Sequence, residues 1–271
     1  MAELPVVPVA NNGQSLTDDH LLIAMGAYPG LVEYNKFGTN LTLTDSYAPI
    51  WIQTGVHTPL AAATKVEVAS DSADDDAGGD GATSVLIFGL DADYLEQQEV
   101  VVMNGTTEVL SGLIYTHINR VIVVSTGVTK TNAGNIYVAD DSTAWGGVTA
   151  GVPTTLSAIQ AKITTGNSQT QQCIYTIPAN KTAYMTDYYV SGGGNKLISF
   201  QFKNTDNLRG GIVRTVGEGE LVNATAVREF RPYIGIPGKF TVWLAAKVST
   251  GNAVASGGFN LILVDNDRKN L

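Results

Sequence analysis

Residues 173–202 read CIYTIPANKTAYMTDYYVSGGGNKLISFQF, and the fold class follows from this stretch. Thr182, Tyr184, Thr186, Tyr188 and Val190 alternate with Ala183, Met185, Asp187 and Tyr189. That is the period of two of a pleated strand, and aromatic and β-branched side chains suit it. Gly192, Gly193 and Gly194 interrupt the run and predict a turn, since glycine takes positive φ without steric penalty. A return strand then places Ile198, Phe200 and Phe202 inward and Ser199, Gln201 and Lys203 outward. Residues 178–181 predict a second turn after a strand over 173–177. Three consecutive strands with one apolar face need a second sheet to cover them.

Downstream the pattern continues. Strands are predicted near 170–177, 181–190, 196–203, 211–216, 219–223, 225–231, 239–248 and 258–264. Phe240, Val242, Leu244, Ala246 and Val248 share one face of their strand, and Phe259, Leu261 and Leu263 share one face of the last. Eight strands in about 100 residues fit a jelly-roll-like β-sandwich, with an immunoglobulin-like sandwich as the competitor, although its Cys–Trp–Cys signature is missing. Upstream, strands are predicted over 65–69, 84–88, 117–125 and 135–139, and a hairpin joins 98–103 to 107–110 around Asn104-Gly105. Pro49 marks an edge or a bend, and 21–29 fits a short helix or a buried strand. The chain therefore divides into an extended arm and lead-in over 1–37, a β-rich sandwich unit over 38–150, a glycine-punctuated connector over 151–167, and the jelly-roll-like unit over 168–271. Pro5 and Pro8 favour extended backbone in the arm. One large interlaced sandwich is the alternative to two units.

Composition excludes several classes of function. With 25 acidic against 16 basic residues the formal charge is −9. Arg209, Arg214, Arg228 and Arg231 are scattered rather than forming a track, so direct nucleic-acid binding is not expected. The single cysteine, Cys173, rules out an intrachain disulfide and reads as a packed thiol. No stretch reaches the ~20 apolar residues of a membrane span, and no basic segment precedes an apolar core near the start, so synthesis in a cytoplasm is expected.

Candidate sites are few. Residues 71–81, DSADDDAGGDG, carry five carboxylates. Asp74, Asp75, Asp76 and Asp80 are candidate ligands for Ca²⁺, which favours flexible oxygen-rich loops. The order lacks the twelfth-position glutamate of an EF-hand, and a solvated acidic loop is the other reading. His20, His57 and His117 have no metal-ligand spacing, and His117 is expected on a solvent or interface side. Glu218 and Glu220 flank Gly219 as a glycosidase pair could, but a tight glycine-rich turn accounts for them more simply. No enzymatic activity and no cofactor beyond that Ca²⁺ are expected. Trp145 and Trp243 are the candidate interface or ligand aromatics.

Five segments carry a family resemblance. GLDADYLEQQEVVVMNGTTEV at 89–109, INRVIVVSTG at 118–127, TNAGNIYVAD at 131–140, IPANKTAYMTDYYVSGG at 177–193 and AVASGGFNLILVDND at 253–267 resemble virion structural proteins of tailed phages, particularly marine and cyanobacterial ones. The resemblance spans roughly residues 65 to 271 and does not include the acidic residues 74–76. It implies a non-enzymatic virion component built from β-sandwiches, with no catalytic residues to carry over. A capsid decoration or cement protein is the expected role, with the chain itself (as a homo-oligomer) and the major capsid protein or other virion proteins as partners. A neck or tail component and a receptor- or glycan-binding fibre head are the alternatives.

Overall fold

The computed structural model describes residues 19–208 and 211–268. Residues 1–18 of the expected arm and lead-in, and Arg209, lie outside them. One short helix, α1 (Asp19–Ala24), precedes fourteen strands: β1 (Leu31–Leu43), β2 (Ala48–Pro49), β3 (Val66–Ser70), β4 (Ala82–Leu90), β5 (Glu96–Val102), β6 (Val109–Leu110), β7 (His117–Thr126), β8 (Ile136–Asp140), β9 (Ile159–Ile163), β10 (Ile174–Thr176), β11 (Lys181–Asp206), β12 (Val213–Ile236), β13 (Phe240–Val248) and β14 (Ala253–Asp265). All named ladders are antiparallel. The chain is all-β, as the strand periodicity predicts, with a jelly-roll-like architecture.

The largest sheet runs β1-β14-β11-β13-β10, with β12 paired to β11 and β2 to β13. Its inner face holds Met185, Tyr188, Phe200, Phe202, Leu244 and Phe259, all buried, and the Tyr188 and Phe202 rings stack at 5.9 Å. The sheet curls towards closure. Gly38 on β1 lies so near the opposite rim that a Cβ there would sit 2.5 Å from the Ile50 carbonyl and 2.8 Å from the Cys173 amide. Only a residue without a side chain lets the two backbones approach in this way. Two smaller sheets, β6-β3-β8-β9 and β5-β4-β7, face each other over a second core that includes Val68, Val85, Ile87, Val121, Ile136 and Val138. This sandwich falls between β2 and β10 in the chain, so the large sheet draws strands from both sides of it.

Several local expectations are corrected. The glycines at 192–194 do not turn the chain back. β11 runs through them as one strand, with a bulge between Gly192 and Leu197 and Gly194 at φ +87°. Up to Gly192 the strand pairs with β14, and from Ile198 with β13. A bulge bends a strand and lets it change neighbours. A second irregularity between Met185 and Asp187 shifts the alternation, so Ala183 and Met185 point inward together with Tyr188 and Val190. The predicted strands at 211–216, 219–223 and 225–231 are segments of the single long β12. Gly217 and Gly219 are therefore strand residues, not a turn. A Cβ on Gly219 would lie 2.5 Å from the Phe200 ring, so glycine makes room for a core aromatic. The hairpin around Asn104-Gly105 is not formed either: β5 pairs with β4, while β6 pairs with β3 in the other small sheet. Residues 159–163, expected to be connector, form β9 against β8.

The large sheet and the small sandwich are joined by buried polar contacts. The Asn119 side chain on β7 donates to the Thr176 carbonyl (2.9 Å) and accepts from the Thr176 amide (2.9 Å). The Lys36 ammonium donates to the Asn119 carbonyl, and Arg120 to the Asn35 carbonyl. Lys181 bridges Asp265 (2.8 Å) and Glu96 (3.6 Å). His117 is buried, contrary to expectation, beside the Tyr94 ring. Burial, and then the nearby His57, push its pKa down to about 4.

Lys36 is 2 % exposed. Burial, reinforced by Arg120, lowers its pKa from 10.5 to about 7. Between those values the unfolded chain binds more protons than the folded one, so Lys36 makes stability rise with pH across that window. The effect is on the order of 4 kcal/mol. Lys36→Met is expected to raise the melting temperature at pH 7, with the gain shrinking towards pH 10.5. Thermal melts of both proteins across this range check it, and parallel curves would refute it.

Candidate functional site

The acidic loop is tied into the fold by hydrogen bonds. Asp75 is fully buried. Its Oδ1 accepts from the amides of Ala82 (2.7 Å) and Ala133 (2.7 Å), and its Oδ2 from Ser70 Oγ (2.6 Å) and the Gly134 amide (2.8 Å). Asp71 holds Asn135 through both its amide and its side chain, each at 2.7 Å. Asp76 Oδ1 accepts from Gly78 N at 2.7 Å. Asp74 and Asp80 are exposed. The loop also captures the Asn104-Gly105 turn, because Gly105 N donates to the Asp75 carbonyl (2.8 Å) and Ser70 N to the Gly105 carbonyl (2.9 Å). Asp75 is thus turned away from Asp74 and Asp80 and held by protein donors. Among the described residues no group of three or more His, Cys, Asp or Glu is placed to hold a metal ion.

The other residues singled out from sequence are dispersed. Trp145 is half-buried beside Trp51, Tyr137 and Ile159, and its indole N–H donates to Glu67 at 2.6 Å. Trp243, also half-buried, faces outward opposite Lys203, and the ammonium groups of Lys203 and Lys247 bracket the Tyr47 ring at 5.0 and 4.7 Å. Glu220 accepts from Ser199 (3.2 Å) and Glu218 from Gln201 (3.3 Å), as expected of an outer sheet face. Cys173 is buried, its thiol donates to the Gly257 carbonyl at 2.8 Å, and burial raises its pKa.

Two surface features had no local sequence signal. The first is the outer edge of β12, which among the described residues pairs with no strand except β11. Val213, Val222, Val227 and Tyr233 are exposed along it. The second is a trough across the outer face of β1, β14 and β11, beside α1. The register sets Asn35 opposite Asn260, and Asn260 opposite Asp187. The side chains are linked in that order, Asn35 Nδ2 to Asn260 Oδ1 (2.7 Å) and Asn260 Nδ2 to Asp187 Oδ1 (2.8 Å), and Thr186 Oγ1 donates to Asp187 Oδ2 (2.7 Å). His20 from α1 meets Glu33 at 2.6 Å. These groups line a cavity of about 410 Å³. An adjoining apolar hollow of about 360 Å³ is walled by Tyr28, Tyr184, Tyr233, Ile23 and Ile262.

No family model matches the chain, and no curated protein does. Among solved structures it is similar to a chain of infectious bursal disease virus Gx strain (TM-score 0.27, 10% identity, 97% of this chain and 80% of that one). It is also similar to a chain of infectious bursal disease virus Gt strain (TM-score 0.25, 10% identity, 93% and 79%) and to the STIV MCP (TM-score 0.23, 9% identity, 87% and 99%). TM-scores at this level do not amount to a common fold.

Removing the Asp75 carboxylate leaves three amides and a hydroxyl buried without their acceptor. Asp75→Ala is expected to cost about 3 kcal/mol, and the exposed Asp74→Ala less than about 0.5 kcal/mol. Denaturant titration separates the two, and a chelator should leave both transitions where they were.

Proposed function

We infer that this chain is a non-enzymatic structural protein of a virus particle, and within that class a decoration protein on the outside of a phage head. The carrying observation is the outer edge of β12, which no described strand pairs. A strand of 24 residues whose outer edge is unpaired among the described residues presents a row of backbone donors and acceptors that a neighbouring chain can complete. The phage-like segments supply the virion context, and the exposed Val213, Val222 and Val227 on β12 offer apolar surface for a contact between copies. With a net charge of −9 the protein suits a basic protein surface better than packaged nucleic acid.

Purified particles should carry the chain in many symmetry-related copies over the head, visible by imaging of labelled particles. A few copies at the tail vertex would assign it to the neck or tail instead, and absence from particles would refute a virion role. In solution the protein should self-associate through β12. Val227→Lys, at a site 67% exposed, should weaken that association about tenfold or more, equivalent to about 1.4 kcal/mol. Its melting temperature as a monomer should be unchanged. Sedimentation across a concentration series measures this, and a wild-type protein that stays monomeric throughout would remove β12 as the contact.

A further inference from the structure

We propose that the trough beside α1 binds a neutral saccharide, with one sugar ring held between the Asn35–Asn260–Asp187 row and the tyrosine wall. The chemistry of the lining narrows the ligand. Glu33 and Asp187 contribute carboxylates, Asn35 and Asn260 contribute amides, and neither lysine nor arginine lines the cavity. Arg120, on the neighbouring strand β7, is engaged by the Asn35 carbonyl and the Tyr34 ring. A phosphate or carboxylate ligand would meet the Asp187 carboxylate, a Glu33 carboxylate already engaged by His20, and no lining lysine or arginine, so anionic ligands are disfavoured. A ligand rich in hydroxyl donors fits the excess of acceptors.

The site is also oriented in advance. Asp187 is held by Asn260 on one oxygen and Thr186 on the other, and Asn260 is held in turn by Asn35. Side chains fixed before binding lose little freedom when a ligand arrives. Each amide offers both a donor and an acceptor, which suits the neighbouring hydroxyls of a pyranose and is wasted on an ammonium ion. Next to this row the lining becomes apolar: Tyr184, Tyr233 and Tyr28 present ring surface beside Ile262, which borders both hollows. A sugar ring has the same division, with hydroxyls on its rim and C–H groups on its face, and tyrosine combines an apolar body with a polar tip. A cavity of about 410 Å³ falls in the size range of small-molecule sites, about 300–1,000 Å³.

The test is saturation-transfer NMR on the full chain with methyl glycosides of hexoses, 6-deoxyhexoses and N-acetylhexosamines at millimolar concentration, with spermidine as the cationic control. Transfer to the ring C–H protons of at least one glycoside is expected, and none to spermidine. Asn35→Ala, at an exposed position, should weaken that binding about tenfold, as loss of a ligand hydrogen bond does, and leave the melting temperature unchanged. Tyr28→Ala, in the same apolar wall and outside β12, should weaken it to a similar degree. No transfer to any glycoside, transfer to spermidine alone, or glycoside binding unaffected by both substitutions would each overturn the proposal. Because Asn35→Ala leaves β12 intact, particle attachment should persist in that variant, so this test is separable from that of the virion role.

Discussion

Strand β11 has partners on both sides along most of its length, interrupted at residues 193–196, and on one side it has two in succession. Its outer side pairs with β12 before and after the bulge, while its other side serves β14 first and β13 afterwards. A straight strand cannot lie against two neighbours that diverge. The backbone must bend without leaving buried amides and carbonyls unpaired, since each such group costs roughly 1–3 kcal/mol. The bulge between Gly192 and Leu197 meets both demands. It bends β11 at residues that are largely exposed and resumes the ladder at Ile198. The aromatic core forms on the inner side of this bend, where Tyr188 from the first half meets Phe200 and Phe202 from the second.

The contact between the large sheet and the small sandwich is polar where it is most buried. Asn119 and Thr176 exchange two hydrogen bonds, and Lys36 reaches the Asn119 carbonyl without a carboxylate beside it. Such contacts add little net stability compared with apolar packing but allow few alternative geometries. They fix how β7 sits on β10 and β1. The acidic loop does the same within the sandwich, where Asp75 gathers amides from β4 and from the segment before β8. A run of carboxylates that looks solvated in sequence becomes an internal fastening because backbone N–H groups satisfy its buried member.

The surface carries the functional reading. Both the β12 edge and the trough beside α1 are built from ordinary strand residues, and neither resembles a reaction centre. The edge offers backbone hydrogen bonds, which are indifferent to side-chain identity and suit repeated contact between copies. The trough offers selective side-chain chemistry. Placed together on a particle exterior, they would let one protein both pack with its neighbours and present a site to the surroundings.

Period-two alternation was enough to determine the all-β class and the inward faces of Ile198, Phe200 and Phe202, of β13 and of β14, and its strand context placed Cys173 in the interior. These are local properties, because side-chain alternation is a property of the strand itself. Partner choice is not local. Nothing in residues 31–43 announces pairing with 253–265 across more than two hundred residues, and nothing in GGG distinguishes a turn from a bulge, since glycine permits both. That choice depended on whether β14 and β13 lay alongside. The same holds for Asn35, Asp187 and Asn260, which are unremarkable in sequence and meet only because the register of three strands aligns them. Tertiary structure alone decided where Asp75 points, which strands pair and which polar side chains share a trough, because each of these is set by contacts between residues far apart in the chain.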